Sequence, residues 1–169
     1  MRRAEITDFE QLVLFYKYVI ENTKDIEKYA RWVYGQHPTD EMIMDYIRQN
    51  AMYMFEENGT ILAAVAVTMS QEDGYHSISW KNDLRDDEVA VIHILCVNPD
   101  YQKQKIGQKV IKECIRLAKN EGKQAVRLDA LESNTPAHKV YEAMGFQRRG
   151  RQNLYAENTG WTNFLFFEY

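Results

Sequence analysis

The stretch from Ile92 to Phe146 constrains this chain more than the rest of it combined. A β-branched, apolar run from Val89 to Val97 breaks at Asn98-Pro99 and passes through a short loop rich in Lys and Gln. It then enters an amphipathic helix near Gly107. The pattern predicts a strand over Val89–Val97, a helix from Lys105 to Asn120 ended by Gly122, and a second strand from Ala125 to Ala130. A short helix follows from Pro136 to Met144, stopped by Gly145. A loop that runs into a helix start gathers free backbone N–H groups, and Lys103, Lys105 and Lys109 add charge beside them. That combination suits a phosphorylated ligand. It is not a phosphate loop of the GK[ST] type, and it lacks the three glycines of a dinucleotide fingerprint. Standing alone, it would equally be a solvated basic helix start.

The flanking sequence supplies the rest of a mixed fold. Arg2 to Ile6 reads as a short first strand, and Thr7 with Glu10 three residues on reads as a capping box. The helix it opens carries Leu12, Phe15, Tyr16, Val19 and Ile20 at helical spacing. A second helical region runs from about Ile26 to Val33 and is broken at Gly35 and Pro38. Thr39 caps a third, with Asp40 and Glu41 in its first turn. Asn58-Gly59, between Met52–Glu56 and Ile61–Thr68, is the strongest hairpin signal present. Residues 70 to 88 are polar and acidic and read as a loop, with a strand extension through Tyr75 to Trp80. Two strands near Phe146–Arg151 and Trp161–Glu168 finish the chain. One mixed α/β (α+β) sheet with helices on both faces is the simplest packing, in a single domain over residues 1–169.

Bulk properties exclude several classes. The net charge of −4 and a pI near 5.6 argue against a nucleic-acid or anionic-membrane binder, which needs a dominant basic surface. No apolar run approaches the ~20 residues of a membrane span, and MRRAEITDFE has no secretory pattern, so a cytoplasmic protein is expected. Cys96 and Cys114 lack paired spacing and read as small buried hydrophobes; an acyl-cysteine is not expected, because Cys96 has no evident activating partner. His37, His76, His93 and His138 have no metal-ligand spacing, so no metal is expected.

Strand, Asn-Pro break, Gln-rich loop, Gly107, helix, strand, Asn134, Ala137, Tyr141 and Gly145-Phe146 form an ordered series. In this the chain resembles the GNAT superfamily of acyl-CoA-dependent N-acetyltransferases. The family's Asn-x-x-Ala-x-x-x-Tyr-x-x-x-Gly-Phe pattern is complete here as Asn134, Ala137, Tyr141, Gly145 and Phe146. Its Arg/Gln-x-x-Gly-x-Gly/Ala loop is partial. Gln102 and Gly107 match, but Lys105 replaces the first glycine and Lys103 stands where another is frequent. The resemblance covers the C-terminal half; the N-terminal half matches only in its order of elements.

The resemblance implies a three-layer fold, with about six to seven strands and two splayed parallel strands, Val89–Val97 and Ala125–Ala130. It implies acetyl-CoA as cosubstrate, held by Leu95, Cys96 and Val97 along the strand, by Gln102, Lys103, Gln104, Lys105, Gly107 and Gln108 at the loop, and by Asn134 and Tyr141. It also implies that Tyr141 protonates the departing thiolate and that the Leu95 N–H polarises the thioester carbonyl. His93 is the implied proton acceptor, with an ordinary pKa near 6.5 suited to a relay; Glu88 and the acidic loop are the alternatives. Without the resemblance, Tyr141 would read as core with a bonded hydroxyl, and His93 as a satisfied core histidine. By strict alternation Val91, His93, Leu95 and Val97 share one face, while Ile92, Ile94 and Cys96 share the other. At Lys105, the neighbouring lysines favour a negative φ, with the ammonium pairing with phosphate. The aromatics Tyr29, Trp32, Tyr34, Tyr75 and Trp80 belong either to an acceptor wall or to the core. The expected acceptor is a small-molecule amine or a peptide terminus, and a homodimer stays open. A non-catalytic CoA-binding module of the same fold is the alternative that Lys105 keeps open.

Overall fold

The computed structural model describes residues 1–169. Seven strands form one sheet: β1 (Arg2–Arg3), β2 (Met52–Glu57), β3 (Thr60–Thr68), β4 (Val89–Val97), β5 (Ala125–Leu131), β6 (Gln147–Ala156) and β7 (Gly160–Glu168). Their order across the sheet is β1-β2-β3-β4-β5-β7-β6, and only β4 and β5 run parallel. Helices α1 (Phe9–Asn22) and α3 (Asp40–Arg48) cover one face, and the short α2 (Ile26–Tyr29) links them. Helices α4 (Ile106–Asn120) and α5 (Thr135–Ala143) cover the other. The mixed sheet thus lies between two helical layers, as the sequence pattern implies.

Several local expectations give way to tertiary context. The first strand shrinks to Arg2–Arg3, and the cap at the start of the helical layer uses Glu5 and Asp8 rather than Thr7 and Glu10. The Glu5 N–H donates to Asp8 Oδ2 at 2.7 Å, and Asp8 is held in turn by Arg2 at 2.7 Å. The helix expected to Val33 stops at Tyr29. Residues Tyr75–Trp80 form no strand; a 3-10 turn over Asp73–Tyr75 leads into a loop laid across the sheet. Its side chains Tyr75 and Ile78 join Val89, Val91, Ala125 and Phe166 in a third apolar cluster. The Asn58-Gly59 hairpin forms as read, both residues taking the positive φ that such a two-residue turn demands.

That loop is pinned from beneath. Arg127 is fully buried and donates to Glu168 at 3.0 Å, to Gln71, and to the Asn82 carbonyl at 3.3 Å. Its guanidinium also lies 4.0 Å from the Trp80 ring centroid. Glu168 receives a second cation, Arg149, at 3.1 Å. A buried carboxylate is costly unless paired; this one has two guanidiniums.

Strict alternation along β4 fails at one residue. Ala66 pairs with His93 but Ala64 pairs with Cys96, so two residues of β4, Ile94 and Leu95, oppose Val65 alone. Ile94 sits at φ 42°, in a region that a β-branched residue enters only under constraint. The extra residue turns the rest of the strand over. Ile92, Leu95 and Val97 face α4, while His93, Ile94 and Cys96 face α1 and α3. His93 and Cys96 therefore share a face, contrary to the alternation, and Leu95 is on the opposite face to His93.

Candidate active site

Beyond the bulge the parallel strands part. β4 and β5 are in register only at Val89, Ala90 and Val91 against Ala125, Val126 and Arg127. From Ile92 onward the edge of β4 that faces β5 has no ladder partner, which leaves it open to an extended ligand arm. A cavity of about 490 Å³ occupies this gap. Ile92 to Leu95 and Asp129 to Leu131 form its two strand walls, and Asn134 and Tyr141 close one side. Trp32, His37, Met42 and Tyr46 come from the N-terminal half, and the β6–β7 turn contributes Glu157 and Asn158. Hydrogen bonds from Ser133 to the Tyr29 carbonyl, 2.9 Å, and from Asn158 to the Arg31 carbonyl, 3.1 Å, join these segments.

Of the residues picked from sequence, His93, Leu95, Asn134 and Tyr141 meet in this cavity. Cys96 and Val97 continue β4 away from it, and the Gln102–Gln108 loop lies past the end of that strand at the start of α4. Gly107 stands in the first turn of α4, where an added Cβ would make only ordinary contact with Val97 at 3.6 Å. Lys103 and Lys105 both adopt the left-handed conformation, at φ 62° and 60°. The negative φ expected for Lys105 is thus overturned. The loop takes the glycine-like shape without glycine, at a cost of about 1–2 kcal/mol per residue. What the shape achieves is the turn itself: Lys105 becomes the N-cap and aims the first N–H groups of α4 past the end of β4.

The bulge is held by a side chain the sequence reading left in the core. Tyr16 on α1, 1% exposed, donates its hydroxyl to the Ile94 carbonyl at 2.9 Å. Trp32 packs on the Tyr16 ring with centroids 6.1 Å apart. A trans peptide is planar with C=O and N–H opposed. Fixing the Ile94 carbonyl toward α1 therefore fixes the Leu95 N–H in the opposite direction.

The titratable groups in the cavity are pushed apart. Burial raises the Tyr141 hydroxyl well above its ordinary value, and the Asp129 charge adds to this, so Tyr141 stays protonated across the physiological range. Tyr46 rises to about 12, from burial and then from Glu72 and Asp129. Burial raises Asp129 also, against the Tyr75 hydroxyl that donates to it at 2.5 Å. Burial drives His93 down to about 4, so the value near 6.5 that recommended it as a base does not survive folding. Its ring stacks on Tyr46, centroids 5.6 Å apart. The Thr68 hydroxyl donates to the Ser70 carbonyl at 3.0 Å and so accepts from His93 Nε2, 3.1 Å away. The ring proton is thereby placed on Nε2, leaving Nδ1 as the acceptor.

Glu88, the alternative base, accepts from the Arg85 N–H at 2.8 Å and from Gln124 at 2.6 Å, outside the cavity lining. Cys96 and Cys114 are both buried, as read; burial pushes the Cys96 thiol far up and Cys114 to about 12, so both stay un-ionised. Asp129 is the functional candidate that the sequence reading missed. Its signal was there: Arg127 and Asp129 are the charged residues of an otherwise apolar strand, AVRLDAL. Of the candidate wall aromatics, Trp32 lines the cavity, Tyr75 supports Asp129 from beneath, and Tyr34 is exposed.

Comparison with known proteins gives these features a family. The sequence pattern of the Acetyltransferase (GNAT) family matches residues 19–146. Over 152 residues the chain is 25% identical to an uncharacterized N-acetyltransferase of Methanocaldococcus jannaschii, covering 87% of this chain and 58% of that protein. It thus spans little more than half the length of that relative. It is 26% identical over 155 residues to the S-(2-succino)cysteine N-acetyltransferase of Bacillus subtilis, covering 90% of this chain and 87% of that one. A Salmonella typhimurium structure solved with its cofactor acetyl-CoA aligns with a TM-score of 0.70 at 16% identity, covering 99% of this chain and 91% of that one. The structural likeness speaks for the fold; the family match runs through most of the sequence, from α1 to the Gly145-Phe146 stop. The chain belongs to the GNAT family of acetyltransferases.

Proposed function

We propose that this protein transfers an acetyl group from acetyl-CoA to a primary amine, in a small molecule or at a peptide terminus, by direct attack in a ternary complex. The single observation that carries the reading is the unpartnered edge of β4 beside a cavity holding a protonated tyrosine and a half-buried carboxylate of raised pKa. The acetyl-pantetheine arm would add to that edge as a strand, with its phosphates at the N–H groups that open α4 and at Lys103 and Lys105. Asn134, at the start of α5, would hydrogen-bond the arm.

In the reaction the amine nitrogen attacks the thioester carbonyl carbon and the C–S bond breaks. The Leu95 N–H stabilises the developing oxyanion, a contribution of about 3 kcal/mol in comparable sites. The thiolate takes the Tyr141 proton, which solvent restores. The acceptor ammonium gives one proton to Asp129, whose pKa burial raises, before it attacks; the second N–H proton leaves the tetrahedral intermediate for solvent as solvent restores Tyr141, and neutral His93, with Nδ1 free, lines the same cavity. Groups whose environments push their pKa values apart divide acid from base in this way. No cysteine intermediate is involved, since neither thiol ionises.

Release of free thiol from acetyl-CoA in the presence of an amine panel tests the reading, together with thermal shift on acetyl-CoA alone. Stabilisation by acetyl-CoA and amine-dependent thiol release are expected. Stabilisation without thiol release for any amine would leave a CoA-binding module and refute the enzyme; absence of stabilisation at saturating ligand would refute the cosubstrate.

A further inference from the structure

The fold treats two of its carboxylates, the buried Glu168 and the half-buried, cavity-facing Asp129, in different ways. Glu168, 5% exposed, is met by the guanidiniums of Arg127 and Arg149 at 2.9 and 3.1 Å. Asp129, at the cavity wall two residues after Arg127, receives no cation at all; its hydrogen-bond partner is the Tyr75 hydroxyl. The Arg127 charge is already taken up by Glu168. Every other charge near Asp129 makes matters worse. Glu72 raises Asp129, Tyr75 and Tyr46 together, so its field reaches the same space. Glu157 on the β6–β7 turn also lines the cavity, whereas no lysine or arginine does. Arg31 stands at the rim with its guanidinium on the Thr159 carbonyl, 3.3 Å away. The two histidines of the lining do not supply charge either, because burial lowers the pKa of both His37 and His93.

A cavity with two carboxylates and no fixed cation attracts an ammonium and repels a carboxylate attached close to it. Rejection of an anionic neighbour is strong where the site offers nothing to pair with it, since the carboxylate would be stripped of water without compensation. From the N-terminal half, Trp32, Met42 and Tyr46 offer the cavity an apolar wall beside the neutral Gln36 and Thr39, and none of these is a cation.

We infer that the acceptor is a primary amine with no carboxylate near its amino group, an uncharged-bodied amine or a peptide N-terminus, and not a free α-amino acid. This rests on the acetyltransferase reading above. It separates the chain from its Bacillus subtilis relative, whose named substrate, S-(2-succino)cysteine, carries several carboxylates.

The test uses acceptors that share one ring and amine and differ at the carbon beside the amine: tyramine carries hydrogen there, tyrosinamide a neutral amide and tyrosine a carboxylate, with S-(2-succino)cysteine alongside. Thiol release should give tyramine or tyrosinamide a kcat/KM at least about 100-fold above tyrosine, the scale of discrimination expected when a buried site leaves a charge unpaired. Preference for tyrosinamide over tyramine would assign the amine to a peptide terminus, and the reverse to a small molecule. Glu157→Lys, at an exposed position that takes no part in the chemistry, should narrow the gap by raising the rate with tyrosine. Comparable rates with tyrosine, efficient turnover of S-(2-succino)cysteine, or no turnover of the carboxylate-free pair while acetyl-CoA still binds would each overturn the inference. Failure of acetyl-CoA to bind would instead overturn the proposed function.

Discussion

Removing one oxygen atom, in Tyr16→Phe, should separate what the β4 bulge contributes to stability from what it contributes to turnover. The Tyr16 hydroxyl donates to the carbonyl of Ile94, a β-branched residue held at φ 42°. Phenylalanine keeps the ring, its burial and its contact with Trp32, so the change isolates the hydrogen bond. A typical buried bond contributes about 1 kcal/mol net, and a carbonyl left dry and unpartnered costs about 1–3 kcal/mol. A loss of about 1–2 kcal/mol in a chain of this size lowers Tm by roughly 3–6 °C. The catalytic effect comes through geometry. With its carbonyl released, the Ile94–Leu95 peptide can rotate to relieve the left-handed strain, which is of order 1–3 kcal/mol, and the Leu95 N–H turns with it. Losing about half of an oxyanion donor's contribution corresponds to roughly tenfold in kcat. The KM for acetyl-CoA should stay within about threefold, because the phosphate end of the site lies beyond the strand. Thermal unfolding and steady-state thiol release measure both quantities on one preparation. A kcat within twofold of the parent, accompanied by the expected drop in Tm, would refute the coupling and leave Tyr16 as a core residue only.

Four further outcomes are expected. Tyr141→Phe should lower kcat by about 10²-fold, as loss of a positioned proton donor does, with little change in acetyl-CoA binding by calorimetry; unchanged turnover would remove Tyr141 from the mechanism. Asp129 is raised by burial, so its contribution to stability is present below the unfolded carboxylate pKa and is lost as pH rises through the folded value. Asp129→Asn should therefore raise Tm more at pH 8 than at pH 4 while abolishing turnover, and a lower Tm at pH 8 would contradict that sign. His93→Ala should leave the shape of the kcat/KM profile between pH 6 and 8 unchanged, because His93 is neutral throughout that range; loss of a limb near 6.5 would show that burial does not hold its pKa down. Lys105→Gly and Lys105→Ala differ only in the left-handed cost. Glycine should be the more stable of the two by up to about 1 kcal/mol, and both should weaken acetyl-CoA binding through the lost charge; greater stability of the alanine variant would refute the strain argument.

The side of the cavity proposed for acetyl-CoA was legible because its parts are consecutive. Val89–Val97, the Asn98-Pro99 break and the start of α4 rest on local periodicity or turn chemistry, the Asn134-to-Phe146 series on the family resemblance, and the bounds of these elements survive folding nearly unchanged. The acceptor side draws on residues 32–46, 129 and 157–158, which no short window contains. The bulge escaped notice because nothing in Ile94 advertises a positive φ; a glycine would have. The left-handed lysines escaped for the same reason, and a loop shape that matches the family without its glycines must be enforced by the strand before it and the helix after it. Asp129 was visible as a charge in an apolar strand, but whether such a carboxylate is paired depends on what lies across the sheet. The segment over residues 70 to 88 could not be placed from sequence, since what holds it is Arg127, more than forty residues further along.

The position of β7 has a consequence for how the protein comes to be made. This strand is last in the sequence yet lies inside the sheet, between β5 and β6. While the chain is still emerging, β5 can pair with β4 over only three residues, and its other edge stays bare. Arg127 then has no Glu168 to meet it, and Asp129 has no Phe166 beside it. When everything up to the β6–β7 turn has been made, the Gln102–Gln108 loop, Asp129 and Tyr141 are all present in sequence, but β5 still lacks the strand that covers its second edge. Domains mature as units during synthesis; here β7 is the last of the seven strands to be made, and β5 keeps a bare edge, exposed to edge pairing, until those nine residues arrive.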